Sequence, residues 1–138
     1  MKHIVNSAKE TKELARQYSA NLNGGDVIGL SGDLGAGKTT FVQGLAKSLG
    51  VTHNVTSPTF VIMKLYQAKH KTIKTICHVD AYRLKTALDL ESIGIGEYLG
   101  APDCLTIIEW SEKVRNILPK KTKYIKITHQ EQSRIFEL

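Results

Sequence analysis

The hydrophobic residues of this chain follow two kinds of spacing. Apolar positions recur every three or four residues over 8–22, 41–49 and 87–93, which predicts helices that bury one face. Continuous apolar runs at 27–30 and 105–108 predict short strands that are buried on both faces. Four further strands are predicted at 60–66, 73–79, 124–128 and 134–138.

The order of these elements predicts the fold class. Short polar links join the strands at 60–66 and 73–79, which favours an antiparallel hairpin, and a second hairpin is predicted at the end of the chain. A fourth helix is predicted from a cap at Ser111 to Pro119, which would end it. This alternation of helices and strands indicates an α/β fold with a mixed central sheet flanked by helices.

Local signals mark the ends of the first two helices. Ser7 and Glu10 have the spacing of a capping box at the start of the first helix. Gly50 lies where the second helix is expected to end. Gly44, inside that helix, costs about 1 kcal/mol relative to alanine, so we expect another element to pack closely against it.

Length and composition narrow the class of protein. The 138 residues, 41% of them hydrophobic and 23% charged, fit one domain over residues 1–138. No apolar run approaches the roughly 20 residues of a membrane span, and the first residues lack the apolar core of a signal peptide. We therefore expect a cytoplasmic protein. Cys77 and Cys104 lie in apolar runs and are expected to be buried free thiols.

The net charge of +6 comes mainly from the second half of the chain. Its densest basic clusters lie at 69–71 and 120–123. Basic surface can attract RNA or an acidic protein, but no aromatic stacking motif accompanies these clusters. Ordinary solvated loops account for each cluster taken alone.

Residues 32–39 fit the pattern G-x-x-x-x-G-K-[ST] of the phosphate-binding P-loop. A predicted strand precedes the pattern and a predicted helix follows it, as phosphate binding by loop and helix N–H groups requires. Lys38 is expected to reach the β- and γ-phosphates of ATP, and the Thr39 hydroxyl to bind Mg²⁺. The predicted ATP-binding residues are Asp33, Leu34, Gly35, Ala36, Gly37, Lys38, Thr39 and Thr40.

Asp33 is unusual inside such a loop because a carboxylate near polyphosphate weakens binding. Two explanations remain open. Its side chain either faces solvent or a partner protein, or forms a local hydrogen bond that shapes the loop.

Two acidic residues follow predicted strands, at the edge where ligands of open α/β sheets bind. Asp80 suits the binding of Mg²⁺, directly or through water, and Glu109 suits the orientation of an attacking water or a contact with the metal. With Lys38, they are the predicted catalytic residues. The alternative for each acid is a surface carboxylate at the end of a strand.

Four further residues or segments are candidates for the site or for the core. Ser57, Pro58 and Thr59 are predicted to form a switch loop that senses the γ-phosphate, or a rigid loop that enters a strand. Arg83 could contact phosphate, a partner or a local carboxylate. Trp110 is either partly exposed near the site or packed in the core, and His78 is expected to be a packed strand residue.

Taken together, five segments make the chain resemble the bacterial TsaE family, also called YjeE. They are GDLGAGKTT at 32–40, SPT at 57–59, HVDAYRL at 78–84, GIGEY at 94–98 and IEWSE at 108–112. The resemblance runs from about residue 7 to the end of the chain.

The resemblance implies a cytoplasmic P-loop ATPase that works with the TsaD and TsaB proteins. That complex attaches threonylcarbamoyl to N6 of an adenosine in tRNAs that read ANN codons. In the family the ATPase is not the transferase, and it meets tRNA only through the complex; neither a membrane nor DNA is involved. By position, Lys38 and Thr39 contact the nucleotide and Mg²⁺, Asp80 helps hold the metal, and Glu109 supports hydrolysis.

Two other functions share the P-loop. A small-molecule kinase needs an acceptor pocket and usually a lid that carries arginines, whereas the four arginines here, at 16, 83, 115 and 134, are scattered along the sequence. A non-catalytic nucleotide-dependent binding module would not hydrolyse ATP. Because no arginine finger is evident, we expect slow hydrolysis by the isolated protein and a site that partner binding completes.

Overall fold

A computed structural model describes residues 1–32, 37–56 and 62–138. In these residues seven strands and three α-helices alternate with short 3₁₀ turns. The strands are β1 (Lys2–Val5), β2 (Val27–Gly32), β3 (Met63–Gln67), β4 (Thr75–Asp80), β5 (Cys104–Glu109), β6 (Lys123–Gln130) and β7 (Ser133–Glu137). The helices are α1 (Ala8–Ser19), α2 (Lys38–Ser48) and α3 (Ala87–Ser92).

All seven strands form one mixed sheet in the order β1-β7-β6-β2-β5-β4-β3. The four central strands, β6, β2, β5 and β4, are parallel, and antiparallel neighbours extend the sheet on both sides. All six residues of β5 are buried, as expected for a strand with another layer on each face. The predicted α/β class, the mixed sheet and both hairpins are confirmed.

Successive side chains of the central strands point to opposite faces, and each face has its own core. Leu105 and Ile107 belong to the core that α1 and α2 cover, whereas Ile108 belongs to the core on the other side. Gly44 explains how closely the two helices approach, because a Cβ there would lie 2.8 Å from the Cβ of Ala15. The packing expected at this glycine is confirmed.

The N-terminal cap of α1 and the state of the cysteines also agree with prediction, whereas α1 ends at Ser19, before the predicted end at residue 22. The Ser7 hydroxyl accepts a hydrogen bond from the Glu10 N–H at 3.1 Å, and the Glu10 carboxylate accepts one from the Asn6 N–H at 3.2 Å. Cys77 and Cys104 are buried free thiols. In the described ranges, no helix combines the length and the apolarity that crossing a membrane requires.

Two parts of the predicted order are wrong. The first is β1, which was not predicted as a strand. It has four residues, of which only Val5 is fully buried, so the periodicity is too short to detect. β1 forms because its backbone pairs with β7, where Val5 lies opposite Arg134 from the far end of the chain.

The second is the helix predicted at 111–118, which is a pair of 3₁₀ turns, Ser111–Lys113 and Arg115–Ile117. The Ser111 side chain does not cap a helix. It is buried, and its hydroxyl donates to the carbonyl of Leu30 at 3.3 Å. Val114 is fully buried in the core on this side of the sheet. Tertiary contacts with β2 therefore outweigh the local helical pattern.

Candidate functional site

The P-loop pattern lies between the end of β2 and the start of α2. Its residues Asp33, Leu34, Gly35 and Ala36 lie outside the described residues, so their predicted roles stay predictions. The flanking glycines are described. Gly32 has φ 149°, and a Cβ there would lie 2.5 Å from the carbonyl oxygen of Ile127. Gly37 has φ 102°, a left-handed conformation that favours glycine. Both ends of the loop thus require glycine for physical reasons.

Lys38 is the first residue of α2, and its side chain turns back toward the sheet. It is only 6% exposed, and its ammonium group donates a hydrogen bond to the carbonyl of Gly32. The same Nζ lies 4.0 Å from the centre of the Trp110 ring. The head group of this buried lysine therefore lies at the end of β2, between a carbonyl oxygen and an aromatic face. Thr39 and Thr40 follow in the first turn of α2 and are half-buried.

Asp80 and Glu109 are the last residues of two adjacent parallel strands. They lie opposite each other in the register of β4 and β5, and Glu109 also lies opposite Leu30 of β2. Both acids are therefore at the same edge of the sheet as the P-loop. The structure brings Lys38, Asp80 and Glu109 to one edge, as the strand-end argument predicted.

Glu109 is not the surface carboxylate that the alternative interpretation of the sequence described. The residue is 3% exposed, and a 2.6 Å hydrogen bond joins its Oε2 to Nε2 of His78. An ionised carboxylate can only accept, so His78 Nε2 is then the donor. His78 was predicted as a packed residue, and it is both fully buried and paired. Its Nδ1 has no hydrogen-bond partner in the described part of the chain.

Asp80 is half-buried and more open. Its Oδ1 accepts a hydrogen bond from the backbone N–H of Tyr82 at 2.9 Å. That bond orients the carboxylate from the turn that follows β4. Asp80 is thus accessible to a metal ion or to water, and its role as a metal ligand stays a prediction.

The Trp110 ring contacts both Lys38 and Tyr82, which lies in the turn after β4. Trp110 has φ 59° and ψ 41°, a left-handed conformation that is rare for a bulky residue. Its ring packs against Tyr82 with centroids 4.9 Å apart, and Lys113 donates to the carbonyl of Tyr82. Trp110 is half-buried and therefore has features of both interpretations: it packs against the core and also faces the P-loop lysine. Sequence reasoning missed Tyr82.

The remaining predicted residues contribute less to the described geometry. Arg83 is exposed on the turn after β4. Ser57, Pro58 and Thr59 lie outside the described residues.

Within residues 1–32, 37–56 and 62–138, no three His, Cys, Asp or Glu side chains form a metal-binding group. The Thr39 hydroxyl in the first turn of α2 and the Asp80 carboxylate at the end of β4 are the predicted oxygen ligands of the metal. Hard oxygens of this kind, few in number, fit Mg²⁺, which is commonly held by one or two carboxylates plus phosphates.

A comparison with protein families matches residues 5–136 to the family described as threonylcarbamoyl adenosine biosynthesis protein TsaE. The chain belongs to the TsaE family. Three relatives described as tRNA threonylcarbamoyladenosine biosynthesis protein TsaE show the extent of the likeness. The Bacillus subtilis protein is 41% identical over 86% of this chain and 72% of its own length. The Rickettsia bellii protein is 39% identical, over 84% and 78%. The Treponema pallidum protein is 38% identical, over 92% and 90%.

The fold has a similar relative among solved structures. A crystal structure of Bacillus subtilis YdiB superposes with a TM-score of 0.80 and 32% sequence identity, covering 99% of this chain and 82% of that one. The resemblance to the TsaE family inferred from the five sequence segments is confirmed, and with it the P-loop fold.

Proposed function

We propose that this protein binds and hydrolyses ATP with Mg²⁺ as an accessory of a TsaB–TsaD complex. It supports the N6-threonylcarbamoyladenosine modification of tRNAs that read ANN codons, in the cytoplasm. It is not the threonylcarbamoyl transferase, and it meets tRNA only through the complex. Membership of the TsaE family supports the pathway. The observation that supports the chemistry is the convergence of Lys38, Asp80 and Glu109 at the edge of the sheet beside the P-loop.

Binding begins at α2. Its first backbone N–H groups have no partner within the helix and carry the positive end of the helix dipole, so they attract phosphate oxygens. Lys38 moves its ammonium group from the carbonyl of Gly32 to the terminal phosphates. The residues fit Mg²⁺, which when bound neutralises charge that develops on the phosphates. Thr39 and Asp80 would hold it.

Hydrolysis then depends on Glu109. Its carboxylate accepts a proton of the attacking water, or orients that water in line with the terminal phosphate. His78 occupies one carboxylate oxygen, Oε2, and fixes the orientation of the group. Trp110 covers Lys38 and limits the access of other water to the lysine. No arginine finger is assigned, so partner binding is proposed to complete the site and raise a slow basal rate.

The test is steady-state ATP turnover with Mg²⁺, with and without the TsaB–TsaD pair. We expect slow turnover alone, a large increase with the pair, and loss of nucleotide binding in Lys38→Ala. Lys47→Ala is a matched control, because this lysine is exposed at the other end of the same helix. Equal, fast rates with and without partners would contradict the accessory role.

The two competing functions give different results in the same preparation. A non-catalytic binding module would show no turnover that Glu109→Ala could abolish. A small-molecule kinase would transfer the phosphate to nucleosides rather than to water, which product analysis detects.

A further inference from the structure

Three neighbouring grooves lie on the side of the molecule formed by α1, α2 and the β3–β4 loop. The first, of about 1060 Å³, lies between α1 and α2. The second, of about 630 Å³, is bordered by α2 and residues 51–56, and the third, of about 370 Å³, by residues 50–53 and the β3–β4 loop. Lys12 and Lys47 line both the first and the second groove, and Thr52 and His53 line both the second and the third. The three grooves therefore form one continuous channel on the surface.

Positive charge is distributed along this channel. Five exposed lysines line it, here called the basic face: Lys9, Lys12, Lys47, Lys69 and Lys74. In the described ranges, none of the five forms an ion pair with a carboxylate. Glu13 is the one acid among the described lining residues, and it is joined to Arg16 at 2.6 Å, so that pair adds no net charge. The charge of the basic face is thus not neutralised by neighbouring acids.

Tertiary packing brings together lysines that are far apart in the sequence. Because Gly44 lacks a side chain, α1 lies close to α2, and a Cβ there would be 3.0 Å from the Cα of Lys12. At the end of α2, the Lys69 N–H donates a hydrogen bond to the carbonyl of Leu49 at 2.8 Å. Gly50, with φ 85°, leaves room for this approach, since a Cβ there would lie 2.7 Å from the Lys69 carbonyl oxygen. The β3–β4 loop, with its cluster of basic residues, is therefore fixed against the end of α2.

The other groups in the channel suit a phosphate backbone. A lysine ammonium is a flexible point charge that binds phosphate. Hydroxyl and amide side chains, which contact phosphate and sugar oxygens in nucleic-acid complexes, line the second groove: Gln43, Thr52, Asn54 and Thr56. No Phe, Tyr or Trp is among the described lining residues, so the channel offers no aromatic ring for the stacking of bases. A contact of this kind is independent of base sequence.

An acidic peptide fits the channel less well. Protein–protein interfaces depend on a few large aromatic or apolar residues that fill pockets at their centre. Large hydrophobic side chains are exposed at five positions of the described chain, and none of them lines the channel: Met1, Ile4, Leu65, Tyr82 and Leu88. The channel therefore provides charge and polar groups without an apolar anchor.

We propose that the basic face binds the phosphate backbone of RNA without reading its sequence. The proposal rests on the proposed function only for the choice of tRNA as that RNA. The face is separate from the P-loop, since Lys47 lies at the opposite end of α2 from Lys38. Contacts of this kind give dissociation constants of about 10⁻⁴ to 10⁻⁶ M at physiological salt. The complex therefore still brings the tRNA, and the basic face adds an electrostatic contact with its backbone.

Fluorescence anisotropy of a labelled, unmodified tRNA, titrated with the isolated protein at about 50 to 200 mM salt, tests the proposal. The logarithm of the affinity should fall linearly with the logarithm of the salt concentration. In a double variant, Lys12→Gln with Lys47→Gln, the affinity at 0.1 M salt should fall about five- to eightfold for each lysine. The steepness of the salt dependence should fall by about one unit for each.

The matched control is Lys120→Gln with Lys121→Gln, which removes the same charge from exposed residues that line none of the three grooves. This control should keep the original tRNA affinity. Both double variants should keep the original melting temperature and Mg·ATP affinity, because the four lysines are exposed and none belongs to the predicted ATP site.

Equal losses of tRNA affinity in the two double variants would show that net charge, rather than the basic face, attracts tRNA, and would overturn the proposal. Absence of tRNA binding at 50 mM salt would also overturn it. Poly-L-glutamate tests the alternative partner: if it binds as tightly as tRNA and shows the same loss in the Lys12 and Lys47 variant, the partner is an acidic protein. If tRNA binds as expected but Mg·ATP does not bind, the proposed function fails while the assignment of the basic face stands.

Discussion

The ends of β4 and β5 carry acidic residues in register with each other, yet their surroundings differ. Glu109 is buried and joined to His78 at 2.6 Å, whereas Asp80 is half-buried and is oriented by the backbone N–H of Tyr82. One carboxylate is held by another side chain inside the fold and the other by a turn at its surface. The same strand-then-acid pattern therefore produces two groups with different chemistry, one fixed in orientation and one accessible to ligands.

The largest expected effect of changing either acid is on the rate of ATP hydrolysis. Glu109→Gln keeps an oxygen for His78 but removes the proton acceptor, so ATP turnover should fall about 10²- to 10⁴-fold. Nucleotide affinity and the melting temperature should change little. Measurement is by turnover and calorimetry on the same sample. Glu112→Gln, an exposed acid three residues further on, is the control. A variant with near-original turnover would remove Glu109 from the chemistry.

The second effect is on stability. His78→Ala leaves the Glu109 carboxylate buried without its partner and removes a fully buried ring, so the free energy of unfolding should fall by about 3–5 kcal/mol. Urea unfolding measures the change. At the other strand end, Tyr82→Ala should cost much less, since Tyr82 is 45% exposed and the bond to Asp80 uses its backbone. Equal losses of unfolding free energy in the two variants would contradict the difference described between the ends of β4 and β5.

The third effect concerns the metal. Asp80→Asn removes the charge but keeps an oxygen for the Tyr82 N–H, so affinity for Mg·ATP should fall about tenfold or more. Affinity for ATP measured with a chelator should not fall, because no metal is then bound. Calorimetry with and without Mg²⁺ measures the two affinities separately. Equal weakening in both conditions would assign Asp80 to the nucleotide rather than to the metal.

The smallest effect is on the pH dependence of stability. It concerns Cys77, on the face of β4 opposite to Asp80, where burial raises the pKa of the thiol from 9.0 to about 12. The unfolded thiol ionises near pH 9 and the folded one does not, so this contribution to stability is intact below pH 9 and is lost as pH rises toward 12. The slope is at most about 1.4 kcal/mol per pH unit. Urea midpoints between pH 7 and 11 should decline less steeply in Cys77→Ala. Parallel curves would show that the thiol does not titrate differently in the two states.

Much of this protein was predictable because its signals are local. The caps at Ser7 and Gly50, the apolar run of β5 and the P-loop pattern each depend on residues a few positions apart. Strand ends with acids could be found in the same way, since parallel strands present their carboxyl ends at one edge. Family resemblance joined these segments, and the TsaE match at residues 5–136 confirmed it.

The errors share a different physical origin. The predicted helix at 111–118 failed because Ser111 binds the carbonyl of Leu30, a contact between residues 81 positions apart. β1 was missed because its stability comes from pairing with β7 rather than from its own pattern. Helical spacing depends only on residues of one element, so it does not detect a contact with a residue that is distant in the sequence.

The sequence by itself determined most of the helices and strands, the glycine-dependent loop and the types of side chain available for phosphate chemistry, because these follow from backbone sterics and short-range periodicity. Only the tertiary structure decided that His78 holds Glu109, that Trp110 covers Lys38, and that Arg134 reaches Gly37. Each of these contacts is fixed by strand register and by packing across the sheet, and register depends on the free energy of the whole assembled core rather than on any one segment.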